Sequence, residues 1–159
     1  MSQNSPSARR INGAKFRIGV VAARFNEDLV DGLLARLLAG LRVAGVEAGR
    51  IQVVRVPGSH EVPWAAGRLA ATRRFDCVVA LGVLIGGDTN HHEMVGQSVS
   101  HALQRVALDK GIPVINGVIV TGTVAQARAR CPGKINRGAE FASAALAMAE
   151  LKTSLKGKS

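Results

Sequence analysis

Reactive side chains are densest in "LIGGDTNHHE", residues 84–93. An apolar run breaks at Gly86 and Gly87, and Asp88, Thr89, Asn90, His91 and His92 follow directly. Asn90 with Glu93 resembles a capping box opening a helix that runs to Lys110. Free backbone N–H groups and the positive end of that helix would then face a ligand, which makes the turn a candidate anion site. One charge gains only about 0.3–1 kcal/mol there when exposed and about 2 kcal/mol when partly buried. A phosphate would therefore need a cationic partner too. The same residues also suit a glycine turn that merely joins a strand to a helix.

Two adjacent histidines and Glu93 raise the question of a metal. Successive helical residues diverge by about 100°, whereas paired ligands on a helix usually stand four apart. No metal site is expected. An imidazole in the first helical turn, with a reference pKa near 6.5, is suited to giving and taking protons. A surface histidine is the plain alternative. Cys77 lies in an apolar run and Cys131 beside a proline, without metal or redox spacing, so both read as reduced thiols with no chemistry.

The elements that must position these groups are legible as an alternation. "FRIGVVAAR", "IQVVRVPG", "FDCVVALGVLI" and "PVINGVIVT" are β-branched and almost continuously apolar, as strands covered on both faces should be. Leu29, Leu33, Leu37 and Leu41, with Val30, Leu34 and Leu38, form one helical stripe, and Val95, Val99, Ala102, Leu103 and Val106 another. Thr123 and Gln126 fit a capping box before "VAQARAR", and Gly111 and Pro113 close one helix and open the next strand. A further helix is expected over about residues 138–155, with an alanine-rich face that suits its own sheet or a neighbouring subunit. Trp64 and Phe75 are assigned to the core. Four strand–helix alternations imply an α/β fold, a parallel sheet between two helical layers. Ligands of such sheets bind beyond the carboxyl ends of the strands. That rule selects "ARFNED", "VPGSHEVP", "LIGGDTNHHE" and "TGT".

The chain has 159 residues, enough for one domain with a real core, and residues 1–14 read as a flexible tail. No apolar run approaches the ~18–20 residues of a membrane span. The opening residues lack the pattern of a signal peptide, so the cytoplasm is the default location. A net charge of +10 raises nucleic acid as a partner. The basic residues are scattered or lie near the ends, however, and aromatics are 3% with no tyrosine, which leaves few stacking platforms. Phosphorylated metabolites are the better match.

"ARFN", "VPGSHEVPWAA", "ALGVLIGGDTNHHEMV", "PVINGVIVTGTVAQARAR" and "NRGAEFASAALAMAEL" stand in the order and spacing of the lumazine synthases, over about residues 16–151. The resemblance implies a flavodoxin-like α/β/α sandwich on a four-stranded parallel sheet. It implies condensation of 5-amino-6-(D-ribitylamino)uracil with 3,4-dihydroxy-2-butanone 4-phosphate to 6,7-dimethyl-8-ribityllumazine, phosphate and water, without metal or organic cofactor. It also implies a homo-oligomer, a pentamer with active sites at subunit boundaries, and in some members decamers or sixty-subunit shells.

By the same resemblance Phe25 stacks on the pyrimidine, and Ser59, His60 and Glu61 hold the ribityl chain and ring. Val83, Leu84 and Ile85 line the pyrimidine pocket through their backbone. Asp88 and Thr89 form the phosphate turn and His91 transfers protons; independently of the resemblance, the Asp88 carboxylate would repel phosphate and is expected to point away. Asn116 reaches the pocket from the adjoining subunit, Arg130 binds phosphate, and Arg137 stands where lysine is usual. The chain departs from the family pattern at His60, Asn116, Gly86 and His92, and the linker "CPGKINRG" is one residue short, which bears on shell formation. On residue type alone Phe25 could be a core ring, Glu61 a first-turn charge and Arg130 a solvated cation. A non-catalytic lumazine or flavin carrier and a structural shell protein are the competing functions.

Overall fold

The computed structural model describes residues 6–7 and 9–156. Its strands are β1 (Ile18–Ala23), β2 (Ile51–Val56), β3 (Cys77–Ile85) and β4 (Val114–Thr121). Its helices are α1 (Glu27–Val43), α2 (Val62–Ala71), α3 (His91–Lys110), α4 (Val124–Arg130) and α5 (Arg137–Lys156), with short 3₁₀ turns at Ala48–Arg50 and Ser59–Glu61. The sheet is four-stranded in the order β2-β1-β3-β4, and every pairing is parallel. This is the expected three-layer, flavodoxin-like arrangement.

Strand alternation divides the core in two. Ile18, Val20 and Ala22 of β1 join Cys77, Val79 and Leu81 of β3 under α1, α4 and α5. Val21 and Ala23, with Val78 and Ala80, face α2 and α3. The central strand β1 is buried along its whole length. The outer strands differ from the expectation of full cover, because Gln52 and Val53 of β2 and Asn116 and Val120 of β4 are exposed. An apolar run reports β-propensity and burial potential, not position in the sheet, and both strands are edges.

The Leu33/Leu37/Leu41 stripe with Val30 is buried in α1 as expected, and Val99 and Leu103 anchor α3. Helix α5 lays Ala142, Ala145, Leu146 and Ala149 onto its own sheet layer and α1, which resolves the open question about that face. Trp64 is a correction: it is 73% exposed, while Phe75 is buried. Helix α2 buries Val62, Pro63, Ala65, Ala66, Leu69 and Ala70, which leaves position 64 on the outer side.

The cap at Thr123 forms as read, with its hydroxyl accepting from Gln126 N at 3.2 Å and Gln126 Oε1 accepting from Thr123 N at 3.3 Å. The box at Asn90 does not form. Asn90 sits at φ −83°, ψ 18° rather than in the extended conformation a capping side chain needs, and its backbone carbonyl alone accepts from Glu93 and Met94. Near the N-terminus, Ile11 packs on the core and Gly13 N donates to Ala44 O at 2.7 Å, so the chain is anchored from Ile11 onward. Residues 1–5 and 8 of the expected tail lie outside the described residues. No helix among the described residues is long and apolar enough to cross a membrane.

Gly138 shows how closely α5 meets α1: a Cβ there would lie 2.5 Å from Arg36 Cβ and 2.6 Å from Leu33 O. Gly138→Ala is expected to destabilise the fold by about 1–3 kcal/mol through overpacking, read as a lower urea midpoint at unchanged slope. Burial pushes the Cys77 thiol up to about 12, helped by the neighbouring Asp76 carboxylate, and the Cys131 thiol up to about 11. The unfolded chain loses these protons near the usual value of 9.0 while the folded chain keeps them. The stability they contribute is complete below that pH and is lost as pH rises through the folded values. A thiol reagent at pH 8 should accordingly label the native chain slowly and the urea-unfolded chain at once.

Candidate active site

The strand order places a crevice where the sheet's connections diverge. The chain leaves β1 into α1 on one face and leaves β3 toward α3 on the other, so a gap opens beyond the carboxyl ends of β1 and β3. A cavity of about 750 Å³ occupies this place. That volume suits a small-molecule site.

Its walls come from four chain segments. Phe25 and Asn26 follow β1, Ser59, His60 and Glu61 follow β2, Val83, Leu84 and Ile85 end β3, and Thr89, His91 and His92 open α3. Local bonds hold these segments in register. Arg24 N and Phe25 N donate to Val56 O at 2.8 Å and Pro57 O at 3.0 Å, which joins the exits of β1 and β2. Glu61 Oε2 accepts from Gly58 N at 2.9 Å, closing the turn that carries Ser59 and His60. Asn26 takes a left-handed backbone at φ 56°, and its Nδ2 donates to Val83 O at 2.8 Å. This bond ties the start of α1 to the last turn of β3.

Phe25 is 75% exposed, so it is a ring presented to the cavity and not a core residue. Ser59 is buried, and its hydroxyl has no partner. His60 Nδ1 stands 4.0 Å from Glu61 Oε1, with most of the His60 side chain and about half of the Glu61 side chain open to solvent. Among the described residues the lining includes no lysine or arginine, one carboxylate in Glu61, and the imidazoles of His60, His91 and His92. Glu27, at the head of α1 just after the lining residues Phe25 and Asn26, is engaged by Arg24 at 3.3 Å and Arg55 at 3.4 Å. With no side chain capping α3, its first turn keeps its backbone donors for a ligand. Among the described residues no group of three or more His, Cys, Asp or Glu is placed to hold a metal.

Four of the expected site residues do not line this cavity within one chain. Asp88 is exposed beside it. Asn116 lies on the outer strand β4 opposite Ala80, well below the Ile85–Thr121 level of the cavity, and its Oδ1 accepts from Val118 N at 3.1 Å. Arg130 ends α4 and donates to Gln126 O at 3.0 Å. Arg137 starts α5 paired with Glu140.

Residues 15–153 match the family model described as 6,7-dimethyl-8-ribityllumazine synthase. The chain belongs to the lumazine synthase family. It is 41% identical to the 6,7-dimethyl-8-ribityllumazine synthase of Nitrosospira multiformis, over 91% of this chain and 89% of that one. The enzyme of the same name from Thermococcus kodakarensis is 42% identical over 92% of each chain, and that of Coxiella burnetii 41% over 87% of this chain and 92% of its own.

In this member of the lumazine synthase family, Asn26 is the residue that sequence reasoning passed over. The signal was present in "ARFN": asparagine is among the few residues that tolerate a left-handed backbone, and a helix begins at the next position. Asn26→Ala should lower stability by about 2 kcal/mol, combining ~1–2 kcal/mol for alanine in that conformation with ~0.5–1.5 kcal/mol for the lost hydrogen bond. Asn26→Gly removes only the second contribution, so its urea midpoint should fall between those of the native chain and the alanine variant.

Proposed function

We propose that the chain condenses 5-amino-6-(D-ribitylamino)uracil with 3,4-dihydroxy-2-butanone 4-phosphate, as a transferase of riboflavin biosynthesis. The observation that carries this reading is the convergence of Phe25, Ser59, His60, Glu61, Thr89 and His91 on one cavity at the divergence of β1 and β3. The residue types suit the two substrates. Phe25 offers an exposed aromatic face for a flat pyrimidine. The backbone of Val83 to Ile85, which ends β3 at the cavity wall, can read the ring's amide-like edge, while Ser59, His60 and Glu61 provide polar groups for a ribityl chain.

The phosphate binds at the turn carrying Asp88 and Thr89, where the uncapped start of α3 supplies backbone donors. Those donors leave a dianion partly uncompensated, and among the described residues the lining holds no fixed cation. Arg130, able to bind two phosphate oxygens at once, supplies it from an adjoining copy, and Asn116 and Arg137 reach the pyrimidine side in the same way. The working unit is thus a homo-oligomer, a pentamer in this reading, acting in the cytoplasm.

The reaction needs repeated proton movement. The pyrimidine amine adds to the ketone carbon, water leaves to give an imine, and loss of a proton beside it expels phosphate. The enol left behind takes a proton on its terminal carbon to become a ketone, and the second amine closes the ring onto that carbonyl with loss of water. His91, in the first turn of α3 and exposed to the cavity, is the acid and base for these steps. Positioning remains the larger effect, since alignment of two bound reactants is worth roughly 7–11 kcal/mol.

Mixing the purified chain with both substrates should give fluorescent lumazine and phosphate in step, and ligand binding without product would mark a carrier instead. His91→Ala should slow turnover by about 10²–10⁴-fold without abolishing it. Arg130→Ala should raise KM for the butanone phosphate and leave that for the pyrimidine near its native value. Co-assembled His91→Ala and Arg130→Ala chains should exceed the summed activity of the two variants alone, because mixed boundaries restore some complete sites.

A further inference from the structure

Three quarters of the Phe25 surface is open, so packing does little to fix its ring. The direction of the ring is inherited from the backbone that carries it. A Cβ placed on Gly58 would stand 3.6 Å from Phe25 Cδ2, which puts the ring edge along the turn that follows β2. Arg55 lies in β2 just before that turn, opposite Ala22 of β1.

Strand alternation turns Val54 and Val56 toward α2 and Arg55 toward α1. The Arg55 side chain is 19% exposed and reaches α1 with both arms of its guanidinium. Nη1 donates to Asp31 Oδ1 at 2.8 Å and Nη2 to Glu27 Oε1 at 3.4 Å. Glu27 and Asp31 stand four apart on one helix face, so a planar fork can span two carboxylates that would otherwise repel. Arg24 Nη1 donates to the same Glu27 oxygen at 3.3 Å. Arg55 Nε is buried and has no partner, an orphaned donor whose cost the two carboxylates offset. Both carboxylates are about half exposed, and pairs of that kind contribute little to stability by themselves. The value of the fork is geometric.

We infer that Arg55 is a positioning residue for the Phe25 ring: by clamping Glu27 and Asp31 to β2 it fixes the first turn of α1, and with it the direction in which the turn before that helix presents the ring. Two other bonds hold the same turn, Phe25 N to Pro57 O at 3.0 Å and Asn26 Nδ2 to Val83 O at 2.8 Å. They secure the backbone toward β2 and β3. Arg55 adds the third point, on the helix side, and without it α1 can pivot about the left-handed Asn26. Arg55 does not line the cavity, so it acts through Phe25 and not on a ligand. Its bearing on the pyrimidine rests on the reading of this cavity as the lumazine-forming site.

Arg55→Met keeps the length of the stem and removes the fork, whereas Arg55→Lys restores a single charge that meets one carboxylate at a time. A stacking surface that is no longer held in place should raise the pyrimidine KM about fivefold in Arg55→Met. Both kcat and the butanone phosphate KM should stay within about twofold of native, and Arg55→Lys should be intermediate. Glu27→Gln combined with Asp31→Asn should reproduce the effect, and adding Arg55→Met to that pair should raise the pyrimidine KM no further. An unchanged pyrimidine KM in Arg55→Met, an equal loss for both substrates, or additive effects would overturn the inference.

Carbon-13 relaxation of the phenylalanine-labelled full chain reads the ring directly, with Phe25 identified by the signal lost in Phe25→Leu. The Phe25 ring should gain nanosecond motion in Arg55→Met, while the buried rings of Phe16 and Phe75 keep their native behaviour. Equal Phe25 motion in the native chain and the variant would overturn the inference. This readout needs no turnover. If the native chain forms no lumazine, the enzyme reading fails and the spectra still decide the role of Arg55. Should Arg55→Met fail to fold, Arg55→Lys decides it by the same two measurements, with smaller changes in the same directions.

Discussion

The divergence of the chain on either side of the β1–β3 pair is the constraint on which the rest of the molecule depends. Because all pairings are parallel, every strand delivers its carboxyl end to one edge of the sheet. Because α1 and α3 leave on opposite faces, no helix covers that edge between β1 and β3. The gap cannot be filled by moving one side chain, since the fully buried strand β1 fixes its floor. The loops then only have to decorate it, and the Asn26–Val83 bond and the Glu61–Gly58 turn keep them from drifting.

The electrostatic character of the site follows from what is missing as much as from what is present. Among the described residues its lining contains no fixed cation, and the acid at the head of α1 is already paired with Arg24 and Arg55. In the proposed reaction, attraction for the phosphate is left to backbone donors and imidazoles. Such donors are oriented before the ligand arrives, so little reorganisation is required when charge moves from the ester oxygen to free phosphate. A dianion exceeds what they can balance, and for that reason the proposal brings an arginine from outside the lining.

The layer order was readable because four apolar runs alternate with helical stripes, a pattern few other architectures share. Residues of the cavity wall were readable where chemistry and local structure coincide, as at His91, Thr89 and Glu61. Other features depend on relations between distant segments. Trp64 reads as core by residue type, yet its exposure is decided by which turn of α2 faces the sheet. Asn90 has the composition of a cap but not the backbone angles, and those are set by how β3 runs into α3. Gly86 lies close to both Gly122 and the His92 ring, and the approach of Gly122 is one that no spacing rule contains. The exposure of β2 and β4 depends on sheet order, which apolar runs do not encode.

The seam between α1 and α5 places a different kind of demand on the chain. Gly138 nests against Leu33 and Arg36, and a Cβ on Gly40 would meet Ala142 at 2.7 Å. Helices this close leave no room for a methylene, whereas the outward positions Ser143 and Met148 are open. Sequence drift within α5 is thereby channelled to its outer surface, and the seam should evolve slowly for reasons of volume alone, although it touches no substrate.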